Sequence, residues 1–153
     1  MWFSKKQTAP KPVPAAAPVT PAAPATVPAT SKKRGSQAED WALAHLQRHG
    51  LRLVARNFKT PGRGGGEVDL IMREPDGTLV FVEVRQRSST QAGGAGASIT
   101  PAKQRRIVLA ARHFLLRWGS QPPCRFDAVL IHGPLNRAQL DWLPAAFDAS
   151  SWA

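Results

Sequence analysis

The chain reads as an α/β domain, a mixed central sheet flanked by helices, behind a disordered Pro/Ala-rich N-terminal tail. Three observations carry that expectation. Two windows, 35–49 and 101–118, repeat apolar residues at helical spacing. Short runs rich in Val, Leu, Ile and Phe at 51–58, 66–72, 79–88 and 124–131 read as strands, with turn signals between them. Residues 1–34 are almost wholly Pro, Ala, Val, Thr and Lys, a composition that buries too little apolar surface to offset the entropy of ordering.

Taken in order, residues 1–34 form a basic tail, 35–148 the domain and 149–153 a short C-terminal tail. The first helix sets Ala38, Trp41, Ala42, His45 and Leu46 on one stripe, and Gly50 stops it. Ser36 followed by Glu39 has the spacing of a capping box, which places the helix start near Gly35. LRLVARNF (51–58) is a first strand, and the loop KTPGRGGG has four glycines that let backbone approach another surface closely. GEVDLIM and LVFVEVRQRS, separated by EPDGT, then form a hairpin. SSTQAGGAGAS is too small and polar to pack and reads as a mobile loop. Thr100 and Pro101 cap and open the second helix, whose buried stripe is Ile107, Ala110, Ala111, Phe114, Leu115 and Trp118. QPP ends it, CRFDAVLI is a fourth strand, GPLN a turn, and RAQLDWL an edge strand.

Charge and cysteine content narrow the function classes. The net charge is +11, and six of those charges, Lys5, Lys6, Lys11, Lys32, Lys33 and Arg34, lie in a tail without acids. A polyanion, nucleic acid first, is the partner this balance favours. A solvated Lys tail that only links, or a Pro/Ala tail that engages another protein, is the alternative. The lone Cys124 excludes an intrachain disulfide and points to a reducing, cytoplasmic setting. No segment is apolar enough to span a membrane, and the N-terminus lacks the apolar stretch of a secretory signal. His45, His49, His113 and His132 show no zinc-ligand spacing.

The chemistry concentrates in the hairpin. Glu83, Arg85 and Arg87 alternate with Val82, Val84 and Gln86, so a carboxylate and two guanidiniums share one face of a strand that should be buried. Either a tight ion pair or an active site explains that. If the strands pair, Asp69 and Glu83 meet near the opening end, where two acids can bind a hard divalent cation through oxygen. The carbonyl of Val84, between Glu83 and Arg85, is a further oxygen ligand. Glu67 shares the strand face of Asp69, where it either belongs to this site or holds the glycine loop or Arg87. Asp69 could instead cap a turn or pair with a neighbouring arginine, and Asp127, on an apolar strand, is expected to pair with a buried arginine. Lys103, Arg105 and Arg106 on the second helix suit phosphate contact or a solvated face.

GEVDLIMREPDGTLVFVEVRQRS, the TPAKQ opening at Thr100 and RFDAV at 125–129 together resemble the YraN-like family, an uncharacterised bacterial group placed in the restriction-endonuclease-like superfamily. The likeness runs from about Gly35 to Phe147. That superfamily includes archaeal Holliday-junction resolvases, which work as dimers, and uses a PD-(D/E)xK metal site. The resemblance implies Asp69 as first acid, Glu83 as second, Arg85 at the lysine position and Glu39 as the acid of the first helix. It therefore implies a Mg²⁺ (or Mn²⁺) site built from Asp69, Glu83, Val84 and Glu39, with Asp69, Glu83 and Arg85 catalytic and Arg87, Lys103, Arg105 and Arg106 on the nucleic acid. The expected activity is hydrolysis of DNA, branched or otherwise structured, with a homodimer as a candidate assembly. Arginine at 85 departs from the pattern: it is always charged, so it cannot act as general base. That substitution keeps open a noncatalytic nucleic-acid-binding module on the same fold.

Overall fold

A computed structural model describes residues 31–87, 99–133 and 137–152. Helix α1 (Ser31–Arg48) leads into strands β1 (Arg52–Lys59), β2 (Glu67–Arg73) and β3 (Leu79–Arg87). Helix α2 (Pro101–Trp118), β4 (Cys124–His132), β5 (Gln139–Phe147) and a final 3-10 turn (Ala149–Trp152) complete the chain. The strands lie in the order β1-β2-β3-β4-β5. β1, β2 and β3 are antiparallel neighbours, β3 and β4 run parallel, and β5 returns antiparallel to β4. A parallel pair cannot be joined by a tight turn, and α2 lies in the long connection between its two strands. The expected mixed sheet with helices is the observed architecture.

Each face of the sheet is buried under one helix. Ala38, Ala42 and Leu46 of α1 pack on Leu70, Met72, Val80, Val82, Val129 and Ile131. Ile107, Val108, Ala110 and Ala111 of α2 pack on Val68, Ile71, Leu79, Phe81, Phe126 and Ala128, with Phe114, Leu115 and Trp118 partly buried beside them. Burial on both faces explains why β3 reads as an almost continuous apolar run until Glu83. Thr100 caps α2 through a hydrogen bond from the Lys103 amide, Pro101 opens it, and Gly119 ends it in the left-handed conformation at φ 83°.

Several expectations are corrected. Helix α1 begins at Ser31, five residues before Ser36, so Ser36 and Glu39 are interior residues and no capping box starts the helix. One interior glycine costs a helix only about 1 kcal/mol, too little to end it at Gly35. Residues 31–34, assigned to the tail, are therefore helical, while the rest of that tail and the loop 88–98 fall outside the described residues. The edge strand RAQLDWL is longer than expected and runs on to Phe147, through a register shift where Ala145 takes φ 51°. The C-terminal tail is in part structure: 149–152 form the 3-10 turn, and Ala149 packs on the α2-side core.

Asp127 has the arginine partner expected of it. It is fully buried in β4 and accepts from Arg125 Nε (2.8 Å) and Nη2 (3.0 Å), from Trp142 Nε1 (2.9 Å) and from the Ala145 amide (3.0 Å). Two of those donors are on β5, so the carboxylate fastens the edge strand where its ladder shifts.

The glycine loop docks as expected on another backbone. Thr60 closes it, with its amide donating to the Gly66 carbonyl (3.0 Å) and its Oγ1 accepting from the Gly66 amide (2.7 Å). A Cβ on Gly66 would clash with both the Ala110 nitrogen and the Arg106 carbonyl oxygen of α2. Because both are helix backbone, Gly66→Ala should cost about 1–3 kcal/mol through overpacking. Gly62→Ala is the control: it faces open space at φ 94° and should cost only the backbone strain, about 1 kcal/mol. Urea unfolding midpoints of the two variants check the difference.

A candidate metal and phosphate site

The site forms where the β2–β3 ladder opens. Backbone pairing of the two strands runs from Arg73 opposite Leu79 to Leu70 opposite Val82 and stops there. The next residues in that register are Asp69 and Glu83. Instead of continuing the ladder, Asp69 turns its carboxylate toward β3, and Oδ2 accepts the Val84 amide at 2.8 Å. The Asp69 charge acts on the neighbouring Glu83 carboxyl. On its other side Val84 pairs with Val129 of β4.

Glu83 points to the α2 side and is only 4% exposed. Its Oε2 has no hydrogen-bond partner among the described residues. Burial, reinforced by the adjacent Asp69 charge, pushes its carboxyl up to about 8, against the pull of Lys103 and Arg85. Lys103, in the first turn of α2, turns inward: its Nζ lies 2.8 Å from Glu67 Oε1 and 3.5 Å from Glu83 Oε1. The Lys103 hydrogen bond holds the Glu67 carboxyl below its ordinary value. For Lys103 itself burial works downward, yet the bond to Glu67 and the Glu83 charge outweigh it and raise the ammonium's pKa. Arg85 Nε lies 3.9 Å from Glu83 Oε1, a loose ion pair, and is itself buried without a hydrogen-bond partner. The tight pair that would have explained Glu83 and Arg85 as purely structural is not formed.

Glu39 approaches from the α1 side. Its Oε2 accepts from Asn57 Nδ2 (3.2 Å) and lies 3.6 Å from Arg56 Nη2, which is held at 2.7 Å by Asp40. Burial first, and the Asp69 charge second, raise its pKa. Asn57 and Arg56 are the residues that sequence reasoning missed. Asn57 takes φ 49° within β1, a left-handed conformation that asparagine tolerates better than most residues. Asparagine is depleted in strands, and its place inside β1 was the available signal.

The sequence-predicted residues thus divide. Asp69, Glu83 and Lys103 are brought together with Glu67, and Arg85 borders them. Glu39 lies beyond Asp69. Arg106 is half-exposed, with Nη2 3.5 Å from Glu67, and Arg105 is exposed one residue away. Arg87 ends β3, its side chain outside the described residues. Among the described residues no three acidic, histidine or cysteine side chains are gathered as a ready metal cage. The pair Asp69–Glu83 nevertheless fits a small hard cation, because Mg²⁺ is commonly held by one or two carboxylates with water in its remaining positions. The unpartnered Glu83 Oε2 is the kind of atom such an ion would satisfy. No helix among the described residues is long and apolar enough to cross a membrane.

Fold and cluster together define an α/β domain with an acid–cation site at the open end of a hairpin. The chain belongs to the uncharacterised protein family UPF0102, whose model matches residues 38–131. It is 58% identical over 158 residues to a UPF0102 protein of Polaromonas naphthalenivorans, covering 98% of this chain and all of that one. A UPF0102 protein of Paracidovorax citrulli is 68% identical over 120 residues, 78% of this chain and 86% of its own. A solved structure, "Crystal structure of SSO0001", aligns over 80% of this chain and 56% of its own at 13% identity, with a TM-score of 0.38, below the level at which a shared fold follows.

The Glu83 environment makes a pH prediction. Its folded-state pKa lies above the unfolded 4.5, so the fold favours the protonated acid: that contribution is full below pH 4.5 and lost as pH rises through about 8. Glu83→Gln cannot ionise and should therefore melt higher than the parent at about pH 9 in EDTA, by about 4–8 °C for each kcal/mol recovered. The two melting temperatures should converge near pH 4–5. Calorimetry across that range checks it, and a gap independent of pH would place the Glu83 charge elsewhere.

Proposed function

We propose that this protein is a Mg²⁺- or Mn²⁺-dependent nuclease that hydrolyses phosphodiester bonds in DNA, branched or otherwise structured, on the restriction-endonuclease-like PD-(D/E)xK plan. One observation carries the reading. Glu83 is a nearly fully buried acid with an unpartnered oxygen, set against a second acid, Asp69. Burying two acids together is costly, and a divalent cation is the partner that offsets it. The +11 net charge and the half-exposed Arg106 beside the cluster support a polyanionic substrate.

In that reading Asp69 and Glu83 hold the ion, which when bound supplies Lewis-acid charge and a more acidic water. The Val84 amide fixes Asp69, so one of its oxygens is oriented before any ligand arrives. Arg85 stays cationic and opposes the negative charge that grows on the phosphorus-bound oxygens. Lys103, with its pKa raised, is also held charged, so neither cation can take a proton from water. That leaves a carboxylate as acceptor. Glu39, whose carboxyl is pushed upward by burial and the Asp69 charge, is the candidate base, and Asn57 and Arg56 position it.

The second reading, a noncatalytic nucleic-acid-binding module, draws on arginine at 85, which cannot act as general base. Labelled duplex, single-stranded, flap and four-way-junction DNA, each with Mg²⁺ or Mn²⁺, separates the two. The nuclease reading expects metal-dependent cleavage that Asp69→Asn or Glu83→Gln abolishes while binding in EDTA persists. Binding of every substrate with cleavage of none favours the module.

Arg85 gives a graded test of the same chemistry. Arg85→Lys should retain part of the activity, and Arg85→Ala should lose about a hundredfold or more, as when a transition-state donor is removed. An unchanged single-turnover rate in Arg85→Ala would assign the cation to another residue.

A further inference from the structure

Lys103 is unusual among the basic residues of α2. Its side chain is 17% exposed, whereas Arg106, one turn on, is 49% exposed. It crosses from the helix to the sheet, 36 residues away in sequence from its nearer partner, and ends between two acids, Glu67 at 2.8 Å and Glu83 at 3.5 Å. Asp69 adds its charge to the same ammonium. A single positive charge among three acids is the electrostatic arrangement that a divalent cation would otherwise satisfy. It leaves one oxygen of Glu83 without a hydrogen bond, so the substitution is incomplete.

We propose that Lys103 is a resident counter-cation of this acid cluster, one that competes with the divalent ion for Glu83 and is released from it when the ion binds. The inference rests on the metal-dependent reading of the site. Its physical basis is repulsion: an ammonium at 3.5 Å from the Glu83 oxygen lies too close to a doubly charged ion on that same carboxylate to remain unscreened. Glu67 keeps the stronger contact with Lys103 and offers a position to which the ammonium can withdraw without leaving the site. A lysine so freed, in the first turn of α2, joins Arg106 one turn on, on the side from which a phosphate would arrive.

Two measurements test this, neither of them cleavage. The first is made on the unaltered chain: amine acetylation read by peptide mass spectrometry, with Lys5 and Lys6 as internal references. Lys103 should be poorly modified in EDTA and several-fold more reactive in saturating Mg²⁺ or Mn²⁺, and Lys5 and Lys6 should change little. In Glu83→Gln the metal-induced increase should disappear. The second is calorimetric titration of Mn²⁺ into the parent and into Lys103→Met, which keeps the stem and removes the charge. The variant should bind about tenfold tighter or more, since a competing charge at this distance is worth at least one factor of ten.

The outcomes separate cleanly. Metal binding by the parent with Lys103 still protected, and affinity in Lys103→Met unchanged or weaker, overturns the proposal while the metal-dependent nuclease stands. No Mg²⁺ or Mn²⁺ binding by either protein overturns both. Binding by Lys103→Met where the parent binds only weakly supports the proposal in its strongest form. Should Lys103→Met fold poorly, the acetylation of the unaltered chain decides alone.

Discussion

The organisation of the site depends on one hydrogen bond, the Val84 amide donating to the Asp69 carboxylate. Strands β2 and β3 are paired through Leu70 and Val82, and beyond that point each buried amide of β3 needs another acceptor. A side-chain carboxylate takes that place. The exchange satisfies Val84 without backbone pairing, and it frees β2 to diverge toward the glycine loop. It also puts Asp69 in the gap between strands, within reach of Glu83 on one side and felt by Glu39 on the other. A main-chain acceptor at the same position would have closed the ladder and left Glu83 alone on the α2-side face.

From that opening the electrostatics follow. Glu83 is too buried to be comfortable as a carboxylate, and its neighbours answer only part of the cost. Lys103 is drawn in from α2, and Arg85 stays at 3.9 Å. Position of the lysine is in turn fixed by packing rather than charge. α2 is docked by Ile107, Ala110 and Ala111 on the core and by the close approach of Gly66 to the backbone at Arg106 and Ala110. That approach brings the first turn of the helix over the acids. A larger residue at 66 would push the helix outward and with it the cation, so a packing constraint in the loop and the charge balance of the site are physically the same constraint.

Much of this was legible in the sequence, and the part that was not has identifiable physical causes. Period-two alternation in LVFVEVRQR and the turn EPDGT gave the hairpin, and with it the meeting of Asp69 and Glu83, because strand register turns spacing into proximity. The cap and first turn of α2 were equally local. The start of α1 was misplaced because an interior glycine costs a helix little, and a capping-box spacing can arise within a helix whose side chains are engaged elsewhere. The inward turn of Lys103 is tertiary, set by how α2 crosses the sheet, and no local pattern distinguishes it from Arg105 or Arg106. Arg56 and Asn57 belong to the same category: their meaning depends on the left-handed turn of β1 against α1.

The two buried acids of the sheet differ in how fully their oxygens are satisfied, which is why the proposal rests on Glu83 and not on Asp127. Both lie in apolar strands, and β3 and β4 are parallel neighbours. Asp127 is the more buried, yet four donors satisfy both of its oxygens, and those donors bind β5 and Glu74 into the same network. A carboxylate so completely engaged has nothing left to offer a ligand, and its role is to fasten an edge. Glu83 has one oxygen shared loosely with cations and one with no partner. Burial alone does not distinguish a structural acid from a functional one. The distinction lies in hydrogen-bond satisfaction: four donors meet the two oxygens of Asp127, whereas Glu83 Oε2 has no partner among the described residues.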